Sequence, residues 1–160
     1  MTHTAINQAL IGRLESAQML LDNALPKVEQ HWLWSSPNEH ILCIGVQLAH
    51  MSGNLRQYLI VNLTQEEDLR QRPSEFEIRP EVKLAELAGR LTSDLDKAKT
   101  LIQAAPSRVW SEVYHVQTFS MTRLEACIHA IEHLNYHIGQ IALLIKYYSP
   151  QDLSFYPNIT

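Results

Sequence analysis

The sequence predicts an all-α fold, a four-helix bundle that forms a single domain over residues 1–160. Only five glycines interrupt the 160 residues, and apolar residues recur mostly at spacings of three and four. Polar, proline-containing stretches divide this pattern into four long segments. Four amphipathic helices around one apolar core are typical of a bundle. Because the connections from helix two to three and from three to four are long, we expect at least one long crossover connection.

The first two helices are predicted from an apolar stripe and a capping pattern. The stripe of the first helix is Ile6, Leu10, Leu14, Ala17 and Leu21. Pro26 should end or kink this helix, and residues 25–34 should resume as another helical turn. Residues 36–39 read Ser-Pro-Asn-Glu, with a capping Ser, Pro at the first helical position and Glu at the third. The second helix is therefore predicted to begin at Ser36 and to run to about Asn62.

The second half of the chain contains two more helical patterns. The third helix is predicted from near Pro80 to Pro106, preceded by a polar loop over residues 64–80. Residues 109–120 are predicted to be irregular or briefly extended. The run Thr122-Arg-Leu-Glu125 is a capping box, so the fourth helix should begin there and continue to about Tyr148.

Composition excludes several function classes. Thirteen Lys and Arg against seventeen Asp and Glu give a net charge of −4, and the basic residues are scattered, so nucleic acid is not an expected partner. No run approaches the ~20 apolar residues of a membrane span, and the N-terminus lacks the pattern of a signal peptide. We expect a cytoplasmic protein. Cys43 and Cys127 lie apart in apolar helical segments and form no CxxC motif, which predicts buried hydrophobic residues.

Histidines form the most informative pattern in the sequence. His129, His133 and His137 recur every four residues on the predicted fourth helix, where each step of four advances ~6 Å along one face. Two imidazoles one turn apart can bind one ion at ~2.1 Å, whereas the outer pair, ~12 Å apart along the axis, cannot. His133 and His137 lie near the middle of the helix, so we predict that they are the ligands. His129 is predicted to be solvated or hydrogen-bonded.

A third ligand must come from another helix at a comparable depth. Four other histidines fall at chain ends, in irregular segments or in the first turn of helix two: His3, His31, His40 and His115. His50 is central in helix two, where Gly45 and Gly53 would let another backbone approach closely. The pattern predicts a metal site of His50, His133 and His137. The alternative is that the HxxxH spacing is incidental and that these are ordinary core or surface residues.

Two segments resemble the DinB-like metal-binding bundle proteins. These are LAHMSGNLRQ at residues 48–57 and AIEHLNYHIGQI at residues 130–141, with its HxxxHxGQ core. The similarity extends to RQRPSEF at residues 70–76 and FYP at residues 155–157, and thus spans most of the chain. The resemblance implies a four-helix bundle, often a homodimer, with a divalent metal held by three histidines. The matching residues are His50, His133 and His137.

The resemblance also suggests a reaction. Some relatives are transferases that use the metal to activate a low-molecular-weight thiol such as bacillithiol or mycothiol, others are isomerases that use such a thiol, and many have no assigned reaction. We therefore predict a metal-dependent thiol S-transferase that acts on a small-molecule substrate. Imidazole ligands suit Zn or Ni, and Fe also fits. The alternatives are a metal-dependent hydrolase with Glu132 as general base and a non-enzymatic, metal-stabilised dimer with Trp32, Trp34 and Tyr147 at the partner surface.

Supporting roles are predicted for residues near the proposed ligands. Each of them could orient a ligand or the substrate, and each has an ordinary capping, core or surface role as the alternative: Asn54, Gln57, Glu132, Tyr136 and Gln140. Arg70 and Arg72 would meet an anionic substrate or thiol, or else be solvated loop charges.

Overall fold

The computed structural model describes residues 5–150 and 152–155, which are mostly helical. Helix α1 is Ala5–Ala24, and α2 begins as Ile44–Leu55 and continues through Arg56–Val61 and Asn62–Thr64. Helix α3 is Leu84–Ala104, and α4 is Arg123–Tyr148. Strands β1 (Val113–Val116) and β2 (Phe119–Thr122) pair antiparallel in a hairpin. Among the described residues, no helix is long and apolar enough to cross a membrane.

The four long helices share one apolar core. Helix α2 packs mainly against α3 and α4, and α1 packs against the same two helices. Among the described residues, α3 and α4 are not one of the main packing pairs, so residues 105–122 connect two helices that are not close neighbours. This is compatible with the predicted long crossover. This arrangement is compatible with the predicted four-helix bundle. It makes α2 and α4, which carry the predicted metal ligands, direct neighbours.

The apolar stripes mostly face the core, as the helical periodicity predicts. In α1, Leu10, Leu14 and Leu21 are buried, whereas Ile6 is 38% exposed. In α4 Ile128 is 41% exposed, and the other apolar residues at helical spacing are buried: Ile131, Leu134, Ile138, Ile141 and Ile145. Cys43 and Cys127 are buried and free, as predicted.

Helix α1 ends at Ala24, before Pro26, and short 3-10 turns follow at Leu25–Lys27 and Gln30–Trp32, as predicted. The predicted start of α2 at Ser36 is wrong, because the helix begins at Ile44. The Asn38 side chain accepts a hydrogen bond from the His40 backbone N–H at 2.9 Å. This local bond closes a turn and competes with helix formation.

The remaining connections are close to the prediction. Helix α3 begins at Leu84, four residues after Pro80, because residues 79–82 form a turn in which the Val82 N–H donates to the Arg79 carbonyl at 2.9 Å. The predicted loop before it contains a 3-10 turn, Arg72–Phe76. The capping box of α4 is confirmed, with the Glu125 N–H donating to Thr122 Oγ1 at 3.2 Å and the Thr122 N–H donating to the Glu125 carboxylate at 2.7 Å.

Helix α2 contains a π-helical segment at Arg56–Val61, directly after the stretch that carries His50 and Asn54. Wider π turns break the 3.6-residue periodicity, so residues in this segment no longer follow the face of His50. Gln57 there hydrogen-bonds Asp68 at 2.5 Å and accepts from Arg70 at 2.7 Å. The π segment thus connects α2 to the loop that precedes α3.

Candidate metal centre

His50, His133 and His137 meet between α2 and α4. One ring nitrogen of each lies within 4.8 Å of a ring nitrogen of the other two. The Nε2 atoms of His50 and His133 are 3.1 Å apart. Two imidazole nitrogens at ~2.1 Å from one tetrahedral ion would be about 3.4 Å apart. The three predicted residues therefore form a cluster of the size that a single ion requires.

Glu75 orients His50 and was not predicted to do so. The Nδ1–H of His50 donates to Glu75 Oε2 at 2.8 Å, which leaves Nε2 of the imidazole with a free lone pair. A carboxylate on the outer nitrogen is the usual partner of a metal-binding histidine, because it fixes the tautomer and the ring orientation. The 3-10 turn at Arg72–Phe76 carries Glu75, so this loop is part of the site.

Arg70 neutralises the Glu75 carboxylate. Its guanidinium donates from Nε to Oε1 at 2.7 Å and from Nη2 to Oε2 at 2.9 Å. Burial opposes ionisation of Glu75, but the hydrogen bonds from Arg70 and His50 outweigh it, and the pKa of the carboxyl is lowered. The Arg70 side chain is 5% exposed. Arg70 is therefore not a solvated loop charge, since buried Glu75 and Gln57 hold it, and its contact with an anionic substrate stays a prediction.

Gln47 orients His137 in a similar way. The Nδ1–H of His137 donates to Gln47 Oε1 at 3.1 Å, and Gln47 Nε2 donates to the Leu42 carbonyl at 2.9 Å. Because the Nε2 end of the Gln47 amide donates to the Leu42 carbonyl, the Oε1 end faces the His137 imidazole. His137 thus also keeps Nε2 free as a ligand atom.

His133 lacks such a partner. Its Nδ1 is buried and has no hydrogen bond to any described residue, although its Nε2 faces Nε2 of His50. The Oδ1 atom of Asn54, on the neighbouring helix, is likewise buried and unpartnered within the described chain. A buried polar atom without a partner costs about 1–3 kcal/mol. A buried ring nitrogen and a buried amide oxygen, neither with a partner among the described residues, thus lie on the two helices that form the site.

Burial keeps the α4 histidines neutral. Burial and the neighbouring His137 and His50 lower the pKa of His133 to about 3. Burial and the nearby His50 lower the pKa of His137 to about 4, and a hydrogen bond with Gln140 partly opposes this. A neutral imidazole offers a lone pair to a cation. Both residues are therefore in the metal-binding form at neutral pH without an energetic cost for deprotonation.

The predicted supporting residues differ in their positions. Gln140 hydrogen-bonds His137, and the Tyr136 ring lies edge-on to it at 5.1 Å between centroids, with the Tyr136 side chain 62% exposed. Asn54 is buried. Glu132 is exposed, and the carboxylate that contacts the histidine cluster is Glu75.

The other histidines lie outside the cluster. The His129 ring packs on Tyr58 at 4.4 Å and is 6.0 Å from the His133 ring, in agreement with its predicted exclusion from the ion. Three more are exposed: His31, His40 and His115. His3, and the Tyr156 and Pro157 of the family resemblance, lie outside the described residues.

Two glycines of α2 make room for side chains, whereas the sequence predicted the approach of a backbone. A Cβ atom on Gly53 would be 1.9 Å from Glu75 Oε1, and one on Gly45 would be 2.7 Å from the Trp34 ring. Real Cβ atoms do not approach other atoms this closely. Because Gly53 has no side chain, the Glu75 carboxylate can lie against α2 at this position and reach His50.

Comparison with known proteins identifies a family but no reaction. A family model described as "Protein of unknown function (DUF1572)" matches residues 3–156. No curated protein and no solved structure matches the chain. Inference about function therefore depends on the site itself.

Proposed function

The chain belongs to the family described as a protein of unknown function (DUF1572), and we propose that it is a divalent-metal-dependent transferase that joins a low-molecular-weight thiol to an electrophilic small molecule. One observation carries the proposal. Three histidines converge from two helices, and Glu75 and Gln47 hold two of them so that Nε2 remains free. Three protein ligands leave a coordination position for a reactant, as in catalytic sites.

The residues fit a metal such as Zn or Ni, and Fe is a third candidate. An all-imidazole donor set at this spacing suits these ions, and the partner of His50 is the carboxylate expected around a metal-binding histidine. The resemblance to DinB-like four-helix bundle proteins supports the same ligands. When bound, the ion would lower the pKa of a coordinated thiol, so that its sulfur is nucleophilic near neutral pH.

The chain's own residues set the charge at the site. An imidazole that binds a metal is a neutral ligand, and Arg70 compensates the charge of Glu75. The ligand shell therefore adds no net negative charge that would weaken a Lewis acid. Gln140 and Tyr136 flank His137 and are the polar side chains that we propose to contact the reactants.

The positions of the Glu75 and Glu132 carboxylates favour thiol transfer over hydrolysis. A hydrolase needs a general base within one water of the ion. Glu132 is exposed, and Glu75 is engaged by Arg70 and His50. Neither is therefore placed as a free base, whereas a thiol needs no carboxylate base once its pKa is low.

The dimer alternative has less support than the sequence suggested. Trp32 is 4% exposed and belongs to the core, and Trp34 packs over Gly45. Trp32 therefore forms no partner surface, whereas Trp34 is partly buried and its role at such a surface stays a prediction. Tyr147 is 66% exposed. A homodimer remains part of our proposal through the family resemblance alone.

Metal analysis tests the centre and a conjugation assay tests the reaction. We expect one equivalent of metal in the wild type and a large loss in His50→Ala, His133→Ala and His137→Ala, with His115→Ala on the hairpin as the matched control. The metal-loaded protein should conjugate bacillithiol, mycothiol or another small thiol to a model electrophile. Retained stoichiometric metal in all three variants would refute the site. A metal-loaded protein that conjugates none of the thiols would refute the reaction.

A further inference from the structure

An apolar groove opens beside the candidate metal centre. It has a volume of about 700 Å³ and lies between residues 37–42 and the second half of α4. Small-molecule sites have volumes of about 300–1,000 Å³. The lining residues are Pro37, Asn38, His40, Ile41, Leu42, Gln47, Tyr136, His137, Gln140, Leu143, Leu144 and Tyr147.

The groove contains no fixed charge. None of the twelve lining residues is Asp, Glu, Lys or Arg. Five large apolar or aromatic side chains of the lining are exposed by 37% to 69%: Ile41, Leu42, Tyr136, Leu143 and Tyr147. A charged ligand would find no counter-charge there, whereas an apolar ligand would remove much exposed apolar surface from water.

The groove reaches the candidate metal centre through one of its three histidines, His137. His137 and its partner Gln47 line it, although they are 4% and 1% exposed, so the groove narrows onto buried polar side chains. Leu143 lies six residues further along α4, which is about 9 Å along the helix axis. A molecule in the groove would thus place a polar end at His137 and Gln140 and an apolar body along Leu143 and Tyr147.

We propose that this groove binds the electrophilic substrate of the metal centre, and that the substrate is an uncharged small molecule with an apolar body. The substrate assignment depends on the proposed function. A small molecule fits better than a second copy of the chain, because the side chains at the inner end are buried and a flat protein surface would not reach them.

A pair of fluorescent probes tests the groove without turnover. N-phenyl-1-naphthylamine is uncharged, and 1-anilinonaphthalene-8-sulfonate is a similar molecule with one negative charge. We expect saturable binding of the uncharged probe to the protein with and without metal, and at least ten-fold weaker binding of the sulfonate to the metal-free protein. Leu143→Asp should weaken binding of the uncharged probe at least ten-fold. Met19→Asp, at a 49% exposed apolar position of α1, is the matched control and should have no effect.

Three results of the titration would overturn the proposal. The proposal fails if the uncharged probe does not saturate, if the sulfonate binds the metal-free protein equally well, or if Leu143→Asp binds the probe as Met19→Asp does. Sedimentation of the same samples can give a fourth result that would overturn the proposal. If the wild type is a dimer that excludes the probe and Leu143→Asp is a monomer, the groove is an interface between copies.

A substrate series links the groove to the reaction. When a thiol adds to a 1,2-epoxyalkane, a sulfur–carbon bond forms, an epoxide carbon–oxygen bond breaks, and the thiol proton is transferred to the new hydroxyl group. We expect KM to fall at least ten-fold from epoxypropane to epoxyoctane in the wild type and to change little in Leu143→Asp. Conjugation without dependence on chain length would refute the groove assignment and leave the proposed reaction intact. If no electrophile reacts, the proposed reaction fails, and the probe titration still decides whether the groove binds apolar molecules.

Discussion

Glu75 accepts the Nδ1–H of His50 at 2.8 Å while Arg70 binds the same carboxylate through two hydrogen bonds. The loop between α2 and α3 is therefore a structural part of the histidine cluster. This relationship predicts that the affinity for metal depends on a residue 25 positions away from His50 in the sequence. It also makes the site sensitive to any change that moves the carboxylate.

Replacing Glu75 should weaken metal binding. Loss of an outer partner of a metal-binding histidine costs about 10–100-fold in affinity. We expect Glu75→Gln, which keeps an acceptor but no charge, to lose about 10-fold, and Glu75→Ala to lose more. Competition with a chelator of known affinity measures this. Glu77→Ala, at an exposed position of the same loop, is the control. Unchanged affinity in Glu75→Ala would show that the carboxylate does not orient the ligand.

Gly53→Ala should also impair the histidine cluster, because it displaces Glu75. Its Cβ would overlap Glu75 Oε1 at 1.9 Å, so the carboxylate must move away from His50. We expect a loss of about 1–3 kcal/mol in the free energy of unfolding, together with weaker metal binding. Gly89→Ala in α3 meets no atom within 4 Å and should stabilise the protein by about 0.5–1 kcal/mol. Equal metal affinity and stability in Gly53→Ala and the wild type would contradict the close packing.

The metal-free protein should lose stability in mild acid. The pKa of His137 is about 4 in the folded state and about 6.5 when unfolded, so the unfolded state binds more protons as the pH falls. Its contribution, up to about 3 kcal/mol, is fully present above pH 6.5 and is lost as the pH falls from about 6.5 to about 4. Thermal unfolding with a chelator, at several pH values, measures this.

Two variants assign the acid dependence to the buried histidine. We expect the melting temperature of His137→Leu to fall less steeply with acidification than that of the wild type. His115→Asn, at an exposed position of β1, should follow the wild type. Parallel pH profiles for all three proteins would show that the buried histidine does not control acid stability.

Helical periodicity is why much of the fold and the histidine cluster could be predicted. The spacing of His133 and His137 and the central position of His50 are properties of single helices, which local sequence encodes. The start of α2 was missed because Asn38 closes a turn inside a pattern that also reads as a helix cap. The Asn38 side chain can accept a hydrogen bond in a turn or at the start of a helix. The sequence does not show which of the two is favoured by tertiary packing.

Glu75 could not be assigned from the sequence for a different reason. It lies in a polar, proline-containing loop, where a carboxylate is normally solvated, and its partners Arg70 and His50 are set by tertiary packing. Its segment, residues 70–76, resembles the DinB-like family, which was the one available signal. Glu132 was favoured as the nearest carboxylate in sequence to His133, but adjacent positions on a helix point to different faces.

Asn54 and His133 allow a test in which stability and metal affinity change in opposite directions. Without metal, the buried Oδ1 atom of Asn54 and the buried Nδ1 atom of His133 have no partner in the described chain. Asn54→Leu removes the unsatisfied oxygen, so the metal-free protein should be as stable as the wild type or more stable by about 1–3 kcal/mol.

Metal binding should respond in the other direction. A metal on Nε2 requires the Nδ1–H tautomer of His133, and that N–H needs an acceptor. We propose Asn54 Oδ1, on the facing helix, as that acceptor, because it is buried and has no partner among the described residues. We expect Asn54→Leu to bind metal about 10-fold more weakly, as measured by chelator competition beside thermal unfolding of the metal-free protein.

Asn62→Leu is the matched control for this pair of measurements. Asn62 is also buried on α2, but its amide donates to the Arg123 carbonyl at 3.0 Å. Its loss should therefore destabilise the metal-free protein by about 1–3 kcal/mol and leave metal affinity unchanged, because it does not contact the histidine cluster. If Asn54→Leu instead destabilises the metal-free protein as Asn62→Leu does and binds metal normally, Asn54 is an ordinary core residue and His133 is oriented by its packing alone.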